Sequence, residues 1–237
     1  MMINASLARR RSWTGLLLLW NTSIGKKVVM AISGFILWGY LLLHLWGNLK
    51  LFIGPDALNG WGHFLRVFGA PVFQGETVLW LIRSILLVAL ILHIWSAYSL
   101  TRMSQGARPI GYTNKKSLAA TYASQSMRWG GVVIGIFIVY HILHFTTGTV
   151  HSSFIEGEPY HNVVAAFHNP AIAAVYIVAM LVIGLHLYHG LWSMFQTLGW
   201  NNARSELFFK SFARLFALVI TVGNLALVLS VVTGLVS

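Results

Sequence analysis

Long apolar runs separated by short polar segments dominate this chain. Runs at residues 27–53, 77–102, 128–150, 170–199 and 212–236 are nearly free of charge along their centres. The hydrocarbon core of a bilayer is about 30 Å thick and takes about 20 apolar residues in a helix. Each run therefore predicts a membrane-crossing helix. The first stops at Gly54-Pro55, and the fourth opens on Pro170, well suited to a first helical turn. Residues 58–73 alternate apolar and polar positions at helical spacing and predict a segment lying along the outer surface. A shorter run, 13–20, follows Arg9, Arg10 and Arg11. It is too short for a signal peptide and lacks a small-residue cleavage site. It reads as an interfacial helix with Trp13 and Trp20 at headgroup level. The expected fold class is all-α integral membrane. Residues 1–26 make a cytoplasmic N-terminus with an interfacial helix, and 27–237 a domain of five transmembrane helices.

Composition agrees. Of 237 residues, 57% are apolar and 9% charged, against about 25% charged in soluble domains. Cysteine is absent. That excludes disulfides, thiolate-bound zinc, Cys-ligated iron–sulfur clusters and haem attached through C-x-x-C-H. The net charge is +11, which in a soluble protein suggests nucleic acid. Here the basic residues mark one side of a membrane instead, and no nucleic-acid partner is expected. Arg9, Arg10, Arg11, Lys26 and Lys27 share that side with Arg102, Arg108, Lys115, Lys116, Arg128, Arg204, Lys210 and Arg214. The other side carries Lys50, Arg66 and Arg83 with Asp56, Glu76, Glu156 and Glu158. Short cytoplasmic loops are the basic ones, which puts the N-terminus inside and the C-terminus on the opposite side of a bacterial-type cytoplasmic membrane.

The ten histidines divide into two sets. His63, His151, His161 and His168 fall in or near outer loops and read as surface residues. His44, His93, His141, His144, His186 and His189 fall inside spans. An ionisable side chain at membrane depth is costly and marks a functional site by default. Depth sorts them. With a rise of 1.5 Å per residue, His44 lies about 25 Å from Lys27 and His141 about 20 Å from Arg128. Both helices start inside, so these two sit toward the outer leaflet. His93 lies about 24 Å from Thr77 and His186 about 24 Å from Pro170, on helices that start outside. This gives two couples at two levels, each split between two helices. Neutral imidazole is a good iron ligand, and facing helices in a bundle can each present one. Two stacked six-coordinate haems need that arrangement. His144 and His189 lie on nearly the same helix faces as His141 and His186, so either member of each doublet is a candidate.

Other chemistry is thin. No span carries a central Asp or Glu, and no phosphate-binding loop or nucleophile triad stands out. Without cysteine, any haem is the non-covalent b type. Gly130, Gly131 and Gly135, with Ala89, Ser96 and Ala97, permit close approach of helices or of a flat macrocycle. Ser33, Arg128 and Gln196 are polar groups toward the inner side. They are candidates for a propionate or a quinone carbonyl, or for interfacial capping and snorkelling. The fifth span has no His, and Asn224 is its main polar residue, so it reads as a packing helix.

One deep His on each of the first four of five spans resembles the diheme cytochrome b membrane anchor of succinate:quinone oxidoreductase and fumarate reductase, in its single-polypeptide form. Local matches are Gly34 with His44-Leu45-Trp46-Gly47-Asn48, His93 with Tyr98, Arg128 with His141, and His186 with Gly190-Leu191-Trp192-Ser193. The likeness covers the chain from about Ser23 onward. It implies a bundle of the first four helices holding two haems b, with His44, His93, His141 and His186 as axial and metal ligands. It pairs His44 with His141 at the outer haem and His93 with His186 at the inner one. It further implies a flavoprotein subunit and an iron–sulfur subunit on the cytoplasmic face, docked partly on the basic loops. Electrons pass from the iron–sulfur subunit through the haems to menaquinone or another quinone. A higher oligomer of the complex stays open. The missing intramembrane carboxylate departs from relatives that move protons through one. Two other readings are a diheme cytochrome b of a formate dehydrogenase, hydrogenase or nitrate reductase type, and a haem-free His-lined transporter.

Overall fold

A computed structural model of the chain describes residues 20–107 and 122–237. The described residues form helices and turns, with no strand. Helix α1, Ser23–Asn48, is opened by the Thr22 hydroxyl, which accepts the Gly25 amide proton at 3.0 Å. It tightens into a 3₁₀ turn, Leu49–Phe52, and ends at Gly54, whose φ of 126° only glycine adopts readily. Then follow α2, Pro55–Val67; α3, Thr77–Gly106; and α4, Tyr122–His141. A single π turn, Ile142–Thr146, extends α4 and is followed by a break at Gly148. A short α5, Pro159–Phe167, precedes α6, Pro170–Thr197, and α7, Glu206–Val232. The Asn169 side chain caps α6 by accepting from the Ala171 and Ile172 amides.

Among the described residues five helices are long and apolar enough to cross a membrane: Ser23–Phe52, Thr77–Gly106, Met127–Thr146, Pro170–Thr197 and Glu206–Val232. The protein is an all-α integral membrane protein. The expected spans are recovered with shifted ends. The third stops at the π turn rather than at 150, and the fifth starts at Glu206 rather than at 212. The amphipathic outer segment is α2. Helix α5 was not anticipated. Most of the expected interfacial helix at 13–20, and the basic loop from 108, lie outside the described residues.

Helix α6 packs most extensively on α7, α1 on α3, and α4 on α6; α1 also meets α6 and α7 over shorter stretches. The spans thus form an arc in the order α3, α1, α6, α4, with α7 behind its middle. Backbones across the diagonals, α1 with α4 and α3 with α6, make no comparable approach. Lipid exerts no hydrophobic force between helices, so close packing of small residues sets these seams. A Cβ on Gly184 would overlap the Thr221 hydroxyl, and one on Gly223 would sit 2.9 Å from Leu45. Ala213, Ile220 and Val231 of α7 are buried in the same seam. Asn224 donates to the Ile220 carbonyl of its own helix at 2.8 Å. Between α1 and α3 the small Ala89 and Ser96 are buried, whereas Ala97 is exposed.

The two ends differ. At the basic end Trp20 stacks on Trp95 at 4.8 Å, and the Lys26 ammonium donates to the Trp20 carbonyl. At the far end α2 and α5 are joined through Asn59, whose amide donates to Glu158 and whose oxygen accepts the Tyr160 amide proton. Trp61 of α2 lies flush on Gly47 of α1. Arg66 and Arg83 both reach Glu76, at 3.1 and 3.4 Å.

Because the chain has no cysteine, single cysteines report the seam cleanly. A spin label on Leu218→Cys, an exposed site, is expected to be relaxed strongly by lipid-dissolved oxygen. On Ile220→Cys, a buried site on the same helix, it is expected to be shielded. Equal accessibility at the two sites contradicts the packing.

Candidate functional site

The diagonals that the backbones leave open are bridged by imidazoles. His44 of α1 faces His141 of α4, with ring centres 5.7 Å apart and planes at 89°. His93 of α3 faces His186 of α6, with ring centres 6.3 Å apart and planes at 66°. Each expected couple is formed, and each spans a different diagonal. The levels are also distinct. On α1, Gly34 abuts His93 and lies ten residues before His44. On α6, Tyr176 meets His141 and lies ten residues before His186. Both helices therefore give a vertical separation of about 15 Å.

The second nitrogen of three rings is engaged. His93 Nδ1 lies 3.2 Å from the Met30 carbonyl. A carbonyl only accepts, so Nδ1 carries the proton and Nε2 keeps its lone pair. The Ser33 hydroxyl, 3.4 Å from the same nitrogen, donates to the Val29 carbonyl at 2.7 Å. His44 Nδ1 lies 3.4 Å from the Tyr40 hydroxyl, one turn earlier on α1. His141 Nδ1 lies 3.4 Å from the Tyr176 hydroxyl. His186 Nδ1 is buried with no hydrogen-bond partner among the described residues. A metal-ligating histidine characteristically hands its remote N–H to a carbonyl or another acceptor, which fixes tautomer and ring orientation. The carbonyl beneath His93 is such an acceptor.

Glycine makes the room. A Cβ on Gly34 would stand 3.3 Å from the His93 ring, and one on Gly131 3.9 Å from that of His186. Around Gly39 and Gly135 an added Cβ would meet nothing within 4 Å.

The doublets separate on burial and company. His144, the neighbour of His141, is completely buried; its ring stacks on Tyr140 and His151, and its Nδ1 lies 2.9 Å from Tyr176. His189 is half-buried and joins neither couple. Among the outer histidines, His63, His161 and His168 are exposed as expected. His151 is not a surface residue. It is 8% exposed, accepts the Ser153 amide proton on Nδ1 at 3.1 Å and donates from Nε2 to the Asn162 carbonyl at 2.9 Å. The fold of α5 back over the loop buries it, and nothing local in the sequence signals that.

Ser33, Arg128 and Gln196 are not brought into one site. Ser33 is buried against His93, while Arg128 and Gln196 are exposed. The residues missed in the sequence are Tyr40, Tyr176 and the Met30 carbonyl. Tyr40 stands four before His44 on the same face and was findable. Tyr176 is 35 residues from His141 and carries no local signal.

Two imidazoles on opposite sides of one metal, with bonds of about 2 Å, hold their ring centres about 6 Å apart. Both couples meet that spacing. No trio of His, Asp or Glu suited to a small closed metal site occurs among the described residues. Paired imidazoles are a donor set that suits a haem iron, among the transition metals that imidazole binds. Comparison with family models, with curated proteins and with solved structures finds no match to this chain.

Valine at Gly34 drives branched carbons into the His93 ring and is expected to cost about 1–3 kcal/mol of stability. Alanine at Gly39 meets open space and is expected to be neutral or stabilising by up to about 1 kcal/mol. Thermal unfolding of the two variants side by side checks this; equal destabilisation contradicts the placement of Gly34 under His93.

Proposed function

We propose that the protein is the membrane anchor of a succinate:quinone oxidoreductase, in which two haems b lie between His44 and His141 and between His93 and His186. The observation that carries the reading is the pair of histidine couples on opposite diagonals of one helical arc, at two depths. When bound, the haems supply one-electron transfer between the two levels of the bundle. An iron held by both imidazoles of a couple would have no position left for substrate, so the residues of each couple would suit electron passage rather than substrate binding. The chain's own residues hold and orient. The Met30 carbonyl fixes the tautomer of His93, and the Tyr40 and Tyr176 hydroxyls back His44 and His141. Gly34 and Gly131 keep the helices clear of the rings.

The dicarboxylate chemistry belongs to other subunits, a flavoprotein and an iron–sulfur protein, because this chain has neither cysteine for clusters nor a nucleotide-binding motif. Its basic end, with Lys26, Arg204, Lys210 and Arg214, is the docking face in this reading and the cytoplasmic one. The electron acceptor is menaquinone or another quinone held in the bilayer. A diheme subunit of another respiratory enzyme would share the couples but co-purify with different partners.

Membranes containing the protein are expected to show a dithionite-reduced b-type spectrum at about two haems per chain, and affinity purification to bring down a flavoprotein with an iron–sulfur subunit. Absence of haem contradicts the reading. Substitution separates the levels: His93→Ala or His186→Ala is expected to remove one haem, and His44→Ala or His141→Ala the other, each halving the haem content. His189→Ala is expected to leave both. Loss of a haem in His189→Ala with retention in His186→Ala would overturn the ligand assignment.

A further inference from the structure

Tyr176 stands between two histidines of one helix. Its hydroxyl is 3.4 Å from Nδ1 of His141 and 2.9 Å from Nδ1 of His144. A phenol has one proton and donates once. A neutral imidazole that offers Nε2 to a metal carries its proton on Nδ1. His141, as a ligand, therefore donates to the Tyr176 oxygen. The Tyr176 proton is then free to go to His144 Nδ1, which leaves the proton of His144 on Nε2, a buried atom with no hydrogen-bond partner among the described residues. The polarity of the chain then runs from the couple outward: His141 to Tyr176 to His144.

The outer members of the chain are held rigidly. His144 has no solvent exposure and lies in the π turn at the end of α4, closed by the Thr147 amide on the Ile142 carbonyl at 3.0 Å. Such turns recur at functional sites. Its ring stacks on Tyr140 at 5.2 Å and on His151 at 4.7 Å. His151 is itself fixed by the Ser153 amide and the Asn162 carbonyl. Phe137, Phe145 and Phe167 close around Tyr176. Neither the tyrosine nor His144 has freedom to turn away.

We propose that Tyr176, backed by His144, is the positioning residue for the His141 ligand and sets the electron-donating strength of that imidazole. The inference rests on the haem reading of the His44–His141 couple. It gives the second histidine of the doublet a role that ligation does not. An N–H held by an oxygen acceptor makes the ring a stronger donor to the metal. A stronger donor favours the ferric state and lowers the potential. The acceptor is better when its own proton is drawn away, which is what His144 does. The same device is absent at His186, whose Nδ1 has no partner among the described residues. The two levels of the bundle are therefore tuned unequally by the chain itself.

The test is a redox titration of the intact complex in membranes, with haem content measured on the same samples. Tyr176→Phe keeps the ring contacts and removes the oxygen. Both haems are expected to remain. The component lost in His141→Ala is expected to rise in potential by about 59 mV, a tenfold fall in its ferric-to-ferrous ratio at a given ambient potential for one electron. The other component is expected not to move. His144→Gln, which leaves Tyr176 in place, is expected to shift the same component in the same direction by less. Unchanged potentials in Tyr176→Phe with both haems bound overturn the proposal. If Tyr176→Phe sheds the haem, His144→Gln decides, a shift upholding the proposal and an unmoved potential overturning it. Absence of haem from the unsubstituted protein overturns instead the function on which the proposal rests.

Discussion

Polar groups inside a bilayer must find partners within the protein, because lipid offers none. That constraint governs this fold. Four spans each carry a deep histidine, and the arc closes them toward one another in two couples rather than leaving them to lipid. The seams that hold the arc open lie elsewhere, where Gly184 meets Thr221, Gly223 meets Leu45, and Ala89 and Ser96 lie between α1 and α3. Backbone packing runs around the rim, and imidazoles cross the middle.

The polar network deepens outward from the couples. Behind His93 is a carbonyl, behind His44 and His141 are phenols, and behind Tyr176 is a second histidine layer reaching the far-end loop and α5. Each step fixes the tautomer or orientation of the one before it. Among the described residues the basic end shows no comparable second layer, since Ser33 bonds its own helix and His186 Nδ1 has no partner there. The two levels share a plan and differ in support.

Much of this was legible in the sequence, for a physical reason. A membrane imposes a fixed length on its helices and a high cost on ionisable groups, so spans and deep histidines stand out without tertiary information. Depth counted along antiparallel helices was enough to pair His44 with His141 and His93 with His186. What the sequence hid depends on contacts between distant segments. The burial of His151 needs α5 folded across it, and Tyr176 is tied to His141 only through the packing of α6 on α4. Ser33, read as a candidate for a propionate or quinone carbonyl or for interfacial capping, lies against His93, because the antiparallel register of α1 and α3 brings Met30, Ser33 and Gly34 to that ring.

The most direct measurement of the central claim is a density map of the purified protein in a lipid nanodisc. Two flat macrocycles are expected, one between His44 and His141 and the other between His93 and His186, each metal bound from both sides. An interior filled with lipid or side chains, or a metal held by His144 or His189, would contradict the account.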